Sequence, residues 1–95
     1  MKFRKKPIVI EAHEMTEDQF ENQETWPDWL KCARAKPSEE EGAFFRAEDS
    51  GTYMLRTLEG LQQVTVGDFI IQGVEGELYP CKARIFHNTY DVVTY

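Results

Sequence analysis

Long apolar runs are missing from this chain of 95 residues. A transmembrane helix needs about 18 consecutive apolar residues, so none is predicted. The start, Met1-Lys2-Phe3-Arg4-Lys5-Lys6-Pro7, is basic like the head of a secretion signal. Only Ile8-Val9-Ile10 follows before Glu11 intervenes, where a signal needs about 7–15 apolar residues. Export by that route is not expected. Cysteine is scarce: Cys32 and Cys81 stand far apart and neither belongs to a CxxC pair. Two are too few for a disulfide framework, so both are read as reduced thiols in a cytoplasmic protein. Histidine is limited to His13 and His87. Zinc sites usually pair their ligands at short spacing, and no such pair exists here. The expectation is therefore no metal and no cofactor. Basic residues are outnumbered, 11 against 17 acidic, for a net charge of 11 − 17 = −6. General nucleic-acid binding requires a basic field that displaces phosphate counterions, and that class is set aside.

What is present is ordinary globular composition, 41% hydrophobic and 29% charged. One domain over residues 1–95 is expected at this length. Charge is uneven along the chain. Lys2, Arg4, Lys5 and Lys6 open it, and Glu11, Glu14, Glu17, Asp18, Glu21 and Glu24 follow with no intervening Lys or Arg. The basic start either pairs with that acidic stretch or guards a strand edge against aggregation.

Residues 7–15 alternate as a first strand. Thr16 is a candidate N-cap with Gln19 three positions on, and Glu17 and Asp18 suit the positive end of a helix. Phe20 is the main anchor of this short acidic piece. Trp26-Pro27-Asp28-Trp29-Leu30 reads as a second helix start, since proline fits the first turn. Trp26, Trp29, Leu30 and Ala33 share one apolar stripe, with Cys32 off it. Pro37 ends this helix near Lys36. From Ala43 the pattern is short strands parted by turns: 43–47, 52–58, 61–66, 69–71 and 77–80. Glu59-Gly60 and Gly67-Asp68 are expected as tight turns. Residues 82–88 suggest helical turns burying Ile85 and Phe86, and Tyr90–Tyr95 alternates as a last strand. The fold class is α+β. A curved, mainly antiparallel, half-open barrel-like sheet of about six or seven short strands carries one or two helices after the first strand.

The opening Lys2-Phe3-Arg4-Lys5-Lys6-Pro7-Ile8-Val9-Ile10-Glu11-Ala12 resembles the start of small proteins encoded by tailed bacteriophages and prophages. Trp26-Pro27-x-Trp29-Leu30, Thr57-Leu58-Glu59-Gly60 and the run from Gly67-Asp68-Phe69 to Tyr79-Pro80-Cys81-Lys82 resemble the same family, as do Ile85-Phe86 and Thr89-Tyr90. That family is similar to the one marked by a Pro-Gly-Asp-Tyr-Gly signature. Here Val66, Phe69 and Ile70 depart from the signature, and Ala83-Arg84 replace a common Pro-Asp. The resemblance implies a phage accessory protein working in the cytoplasm of an infected bacterium. It carries over no catalytic residue. Phage genes of this size commonly serve host takeover or evasion of host defence.

Several residues carry candidate chemistry. Gly67-Asp68 is explained by a turn, with a ligand-binding carboxylate as the sharper alternative. Gly73-Val74-Glu75-Gly76 lacks the lysine and helix of a phosphate loop. In Tyr79-Pro80-Cys81-Lys82 a neighbouring lysine and a helix start would lower the thiol pKa. A nucleophilic Cys81 would also need a base, His87 or Asp68. Otherwise it is a structural cysteine. Aromatics are 13% of the chain. Most must be core, and any left exposed favour a partner interface or a base-stacking pocket with Arg46, Arg56 or Arg84 supplying charge. Candidate ligand or partner contacts are Trp26, Trp29, Arg56, Asp68, Tyr79, Cys81, Lys82 and Arg84. The functional expectation is a non-enzymatic binding protein that counteracts a host factor, by sequestering a nucleotide-like signal or blocking a host defence protein. A small Cys-dependent enzyme and a virion structural or assembly protein are the alternatives. Homo-oligomerisation is a further expectation, since a small domain with exposed edges gains buried area by pairing.

Overall fold

The computed structural model describes residues 1–4 and 6–93. Six strands and three α-helices form in the order β1 (Glu11–Glu14), α1 (Glu17–Glu21), a 3-10 turn (Gln23–Thr25), α2 (Asp28–Ala35), β2 (Phe44–Arg46), β3 (Tyr53–Thr57), β4 (Gly60–Val64), β5 (Phe69–Gln72), β6 (Leu78–Cys81) and α3 (Ala83–Thr89) among the described residues. They make an α+β fold with two three-stranded antiparallel sheets, ordered β1-β5-β6 and β2-β3-β4, and no closed barrel.

Local chemistry sets the elements. Thr16 caps α1, its hydroxyl accepting from Gln19 N at 3.2 Å. Pro27 sits at the N-cap of α2, where no intrahelical N–H is needed. Trp26, Leu30 and Ala33 lie along one side and are buried, while Cys32 faces solvent. In β3 the alternation places Leu55 and Thr57 inside. The core joins Met15, Trp26, Leu30, Phe44, Leu55, Val64, Ile70 and Leu78, with Phe20, Trp29 and Tyr53 packed against it. The Trp26 indole donates to Gln19 O at 2.6 Å, so its burial leaves no polar atom unpaired.

Several expectations are corrected. The first strand covers Glu11–Glu14 and not 7–15. Its partner β5 runs out at Gln72, where the turn from Gly73 begins, so Pro7–Ile10 have nothing to pair with. The β3–β4 hairpin turns at Leu58-Glu59, one residue early, because Gly60 pairs with Thr57 as the first residue of β4. The chain end is helical up to Thr89, but Phe86 is only half-buried and Ile85 is exposed. Phe86 stacks on Phe69 of β5 with ring centroids 3.9 Å apart, which turns the adjacent Ile85 outward. Residues 90–93 form no strand, and Thr94 and Tyr95 lie outside the described residues. The alternation there is real. Yet Tyr90 caps α3 with its ring 5.1 Å from that of Phe86, and Val92 and Val93 then line a groove with Ile8 and Val9 without pairing as a strand.

Candidate functional site

A cleft of about 500 Å³ opens where α2 meets the β3–β4 turn and the β5–β6 turn. Trp29 reaches it from the flank of the buried α2 stripe and stays half-exposed. Arg56 reaches it from β3, where its Nε donates to Ser38 O at 2.8 Å. Two candidates that are distant in sequence thus share one concavity. Lys36 at the end of α2 and Leu58 at the tip of the hairpin complete its rim. Lys36 donates to Glu41 O at 3.2 Å. Glu41, Glu75 and Glu77 also line the cleft, so its charge is mixed. Glu77 folds back on its own turn, accepting from Glu75 N at 3.1 Å. Its carboxylate occupies the space that a side chain on Gly73 would fill.

Asp68, Cys81 and Lys82 gather elsewhere, around the β4–β5 turn. Asp68 is buried at 3% exposure. Its Oδ2 accepts from Thr65 N at 2.8 Å and from Thr65 Oγ1 at 3.1 Å. Lys82 Nζ lies 3.1 Å from the other carboxylate oxygen, while its side chain remains largely in solvent. A carboxylate with these partners closes a turn, and its oxygens are spoken for. Beside it, the Cys81 thiol donates to Lys82 O at 3.6 Å. Burial first, and the Asp68 carboxylate second, push this thiol above its ordinary value. That reverses the expected lowering by Lys82: the lysine's charge is already matched by Asp68. No histidine hydrogen-bonds Cys81 or Asp68 among the described residues. His13 Nε2 meets Gln19 Oε1 at 2.7 Å, and His87 packs edge-on against Phe69 at 5.3 Å.

The remaining candidates are scattered. Trp26 is core, with its ring 5.4 Å from Phe44. Tyr79 is half-buried, its hydroxyl 3.5 Å from that of Tyr90, and burial together with this contact raises its pKa well above the ordinary 10.0. Arg84 is exposed on α3. Among the described residues no group of three or more His, Cys, Asp or Glu is placed to hold a metal ion, and no helix is long and apolar enough to cross a membrane. Sequence reasoning missed Lys36 and Glu77 as cleft residues. The glycines around the β5–β6 turn signalled Glu77, but nothing in the pattern around Lys36 foretold its place.

Comparison of the chain with family models, with curated proteins and with solved structures finds no match.

Proposed function

We propose that the chain is a phage-encoded, non-enzymatic binding protein that counteracts a host factor through the Trp29–Arg56 cleft. One observation carries this reading: an aromatic face and a guanidinium stand partly exposed in the same concavity of about 500 Å³. That volume lies within the range of small-molecule sites, and Trp and Arg are the side chains most enriched where partners are gripped. The Cys-dependent alternative lacks comparable support, because its thiol holds its proton more tightly than usual and among the described residues hydrogen-bonds only the Lys82 carbonyl. The phage setting rests on the resemblance of the opening segment and of residues 67–82. A sequestered nucleotide-like signal would stack on Trp29 and meet Arg56 and Lys36 with its phosphates. A host defence protein would use the same two anchors with the glutamates at its rim.

Native mass spectrometry of the purified protein, before and after exposure to lysate of a bacterial host, tests this. The expected result is either a small added mass per subunit or a defined larger complex, in each case lost in a folded Trp29→Ala, Arg56→Gln double variant. A bare mass under all conditions, or binding that the double variant retains, overturns the reading.

A further inference from the structure

β1 is the outer strand of its sheet, and among the described residues no strand pairs with its far side. Met15 shows which way its backbone faces. Met15 N donates to Asp68 O and Met15 O accepts from Gly67 N, both at 2.8 Å, so its hydrogen-bonding groups point inward to the β4–β5 turn and β5. By the two-residue period, those of Glu11 and His13 point inward too. The N–H and C=O groups of Ala12 and Glu14 therefore point outward.

Ahead of β1, Met1–Arg4 and Lys6–Val9 are exposed, with Phe3 at 88% and Val9 at 66%. The radius of gyration is 14.0 Å, where about 12 Å is typical of a compact chain of this length, consistent with an arm standing off the body. The apolar side chains of Val92 and Val93 lie along the same groove as Ile8 and Val9. The arm carries Lys2, Arg4 and Lys6, and α1 carries Glu17, Asp18 and Glu21. The single ion pair among the described residues is Lys82–Asp68, so among them Lys2, Arg4 and Lys6 form no ion pair with Glu17, Asp18 or Glu21.

We infer that a second copy of this chain covers the edge, by antiparallel β1–β1 pairing about a two-fold axis at Ala12. Three features select this register. It opposes Ala12 to Ala12 and Glu14 to Ile10, and thereby joins the outward-facing backbone groups. It sets Glu11 opposite His13, whereas a shift of one residue would set Glu11 against Glu14. It also runs the arm of each copy beyond Glu14 of the other, toward the acidic α1. The two-fold axis gives each copy the same contact, so the pair closes and does not grow into a fibre. The faces of the two sheets continue across the axis, which brings the exposed Val9, Val92 and Val93 of both copies to the junction. This inference stands on β1 and the arm, independently of what the cleft binds.

Sedimentation equilibrium of the full chain should show a dimer at about 100 µM, weakened by 0.5 M salt because the arm contacts are solvent-exposed charges. Reversing the arm (Lys2→Glu, Arg4→Glu, Lys6→Glu) should raise the dissociation constant about tenfold or more. Adding Asp18→Lys and Glu21→Lys to that variant should restore it, which a merely misfolded arm variant would not do. Ala12→Cys, in a Cys32→Ser, Cys81→Ser background, should form a cross-linked dimer on mild oxidation. Opposed hydrogen-bonded residues stand about 5.5 Å apart, within reach of a disulfide. A monomer at that concentration, a dimer that Ala12→Cys does not cross-link, or a reversed arm without rescue would each overturn the pairing.

Discussion

Asp68 shows how one side chain can look like a site and act as a strut. Gly67 takes φ +93°, a backbone region that suits glycine, and this tightens the chain between β4 and β5. The Asp68 carboxylate then reaches back to Thr65 N and Thr65 Oγ1, while its own backbone carbonyl receives Met15 N. One residue thereby ties the turn to the segment that follows β1. Asp68→Ala leaves the half-buried Thr65 N–H and the buried end of the turn without their acceptor, which should cost about 1–3 kcal/mol. Lys82→Met removes only the exposed partner and should cost less than about 1 kcal/mol. Urea unfolding of both variants measures the two losses. Equal losses would mean that the ion pair, and not the turn, is what Asp68 supplies. The pair Gly67-Asp68 was legible as a turn because both residue types have a local reason to be there. The burial of Asp68 was not, because it depends on Thr65 and Met15 arriving from two directions.

At the scale of elements, the two helices between β1 and β2 differ in how they are held. α1 has five residues and buries none of them fully, so its cap matters most. Thr16→Ala should cost about 1 kcal/mol, as loss of an N-cap usually does. α2 is held by its packed side. Leu30 is fully buried against the core, and Leu30→Ala should cost about 2–5 kcal/mol through lost burial and the cavity left behind. Thermal unfolding followed by circular dichroism should rank the two variants in that order. A Thr16→Ala loss as large as that of Leu30→Ala would show that α1 is needed to hold α2 in place. Helix starts, the α2 stripe and the antiparallel meander were readable, because capping residues, proline and alternation act locally. Element limits at the two ends were not. Ile8-Val9-Ile10 and Tyr90–Val93 have strand-like composition, but a strand exists only where another backbone lies opposite. The Trp29–Arg56 cleft was half-readable for the same reason: both side chains stood out, and their meeting depended on α2 packing against β2, the neighbour of β3.

The stability of the whole molecule should fall in alkali, and two groups on β6 set where. Folding raises the pKa of Cys81 and of Tyr79 above their ordinary values of 9.0 and 10.0. Below those values both groups are protonated in the folded and unfolded chains alike, and stability does not depend on them. As pH rises past about 9 and then 10, the unfolded chain gives up these protons while the folded chain keeps them. The folded state then binds more protons, and the free energy of unfolding decreases with pH. General repulsion also grows, since the chain already carries a net −6 at neutrality. That term is shared by every variant, whereas the proton term is not. Tyr79→Phe removes the ionising hydroxyl, with its contact to the Tyr90 hydroxyl, and keeps the aromatic ring. Its urea midpoint should therefore decline less steeply than that of the parent protein between pH 10 and 11, with the two curves parallel from pH 6 to 8. Cys81→Ser should flatten the earlier part of the decline, from about pH 9. Parallel curves for all three proteins up to pH 11 would assign the alkaline loss to charge repulsion alone. They would also remove Tyr79 and Cys81 from the groups that couple folding to pH.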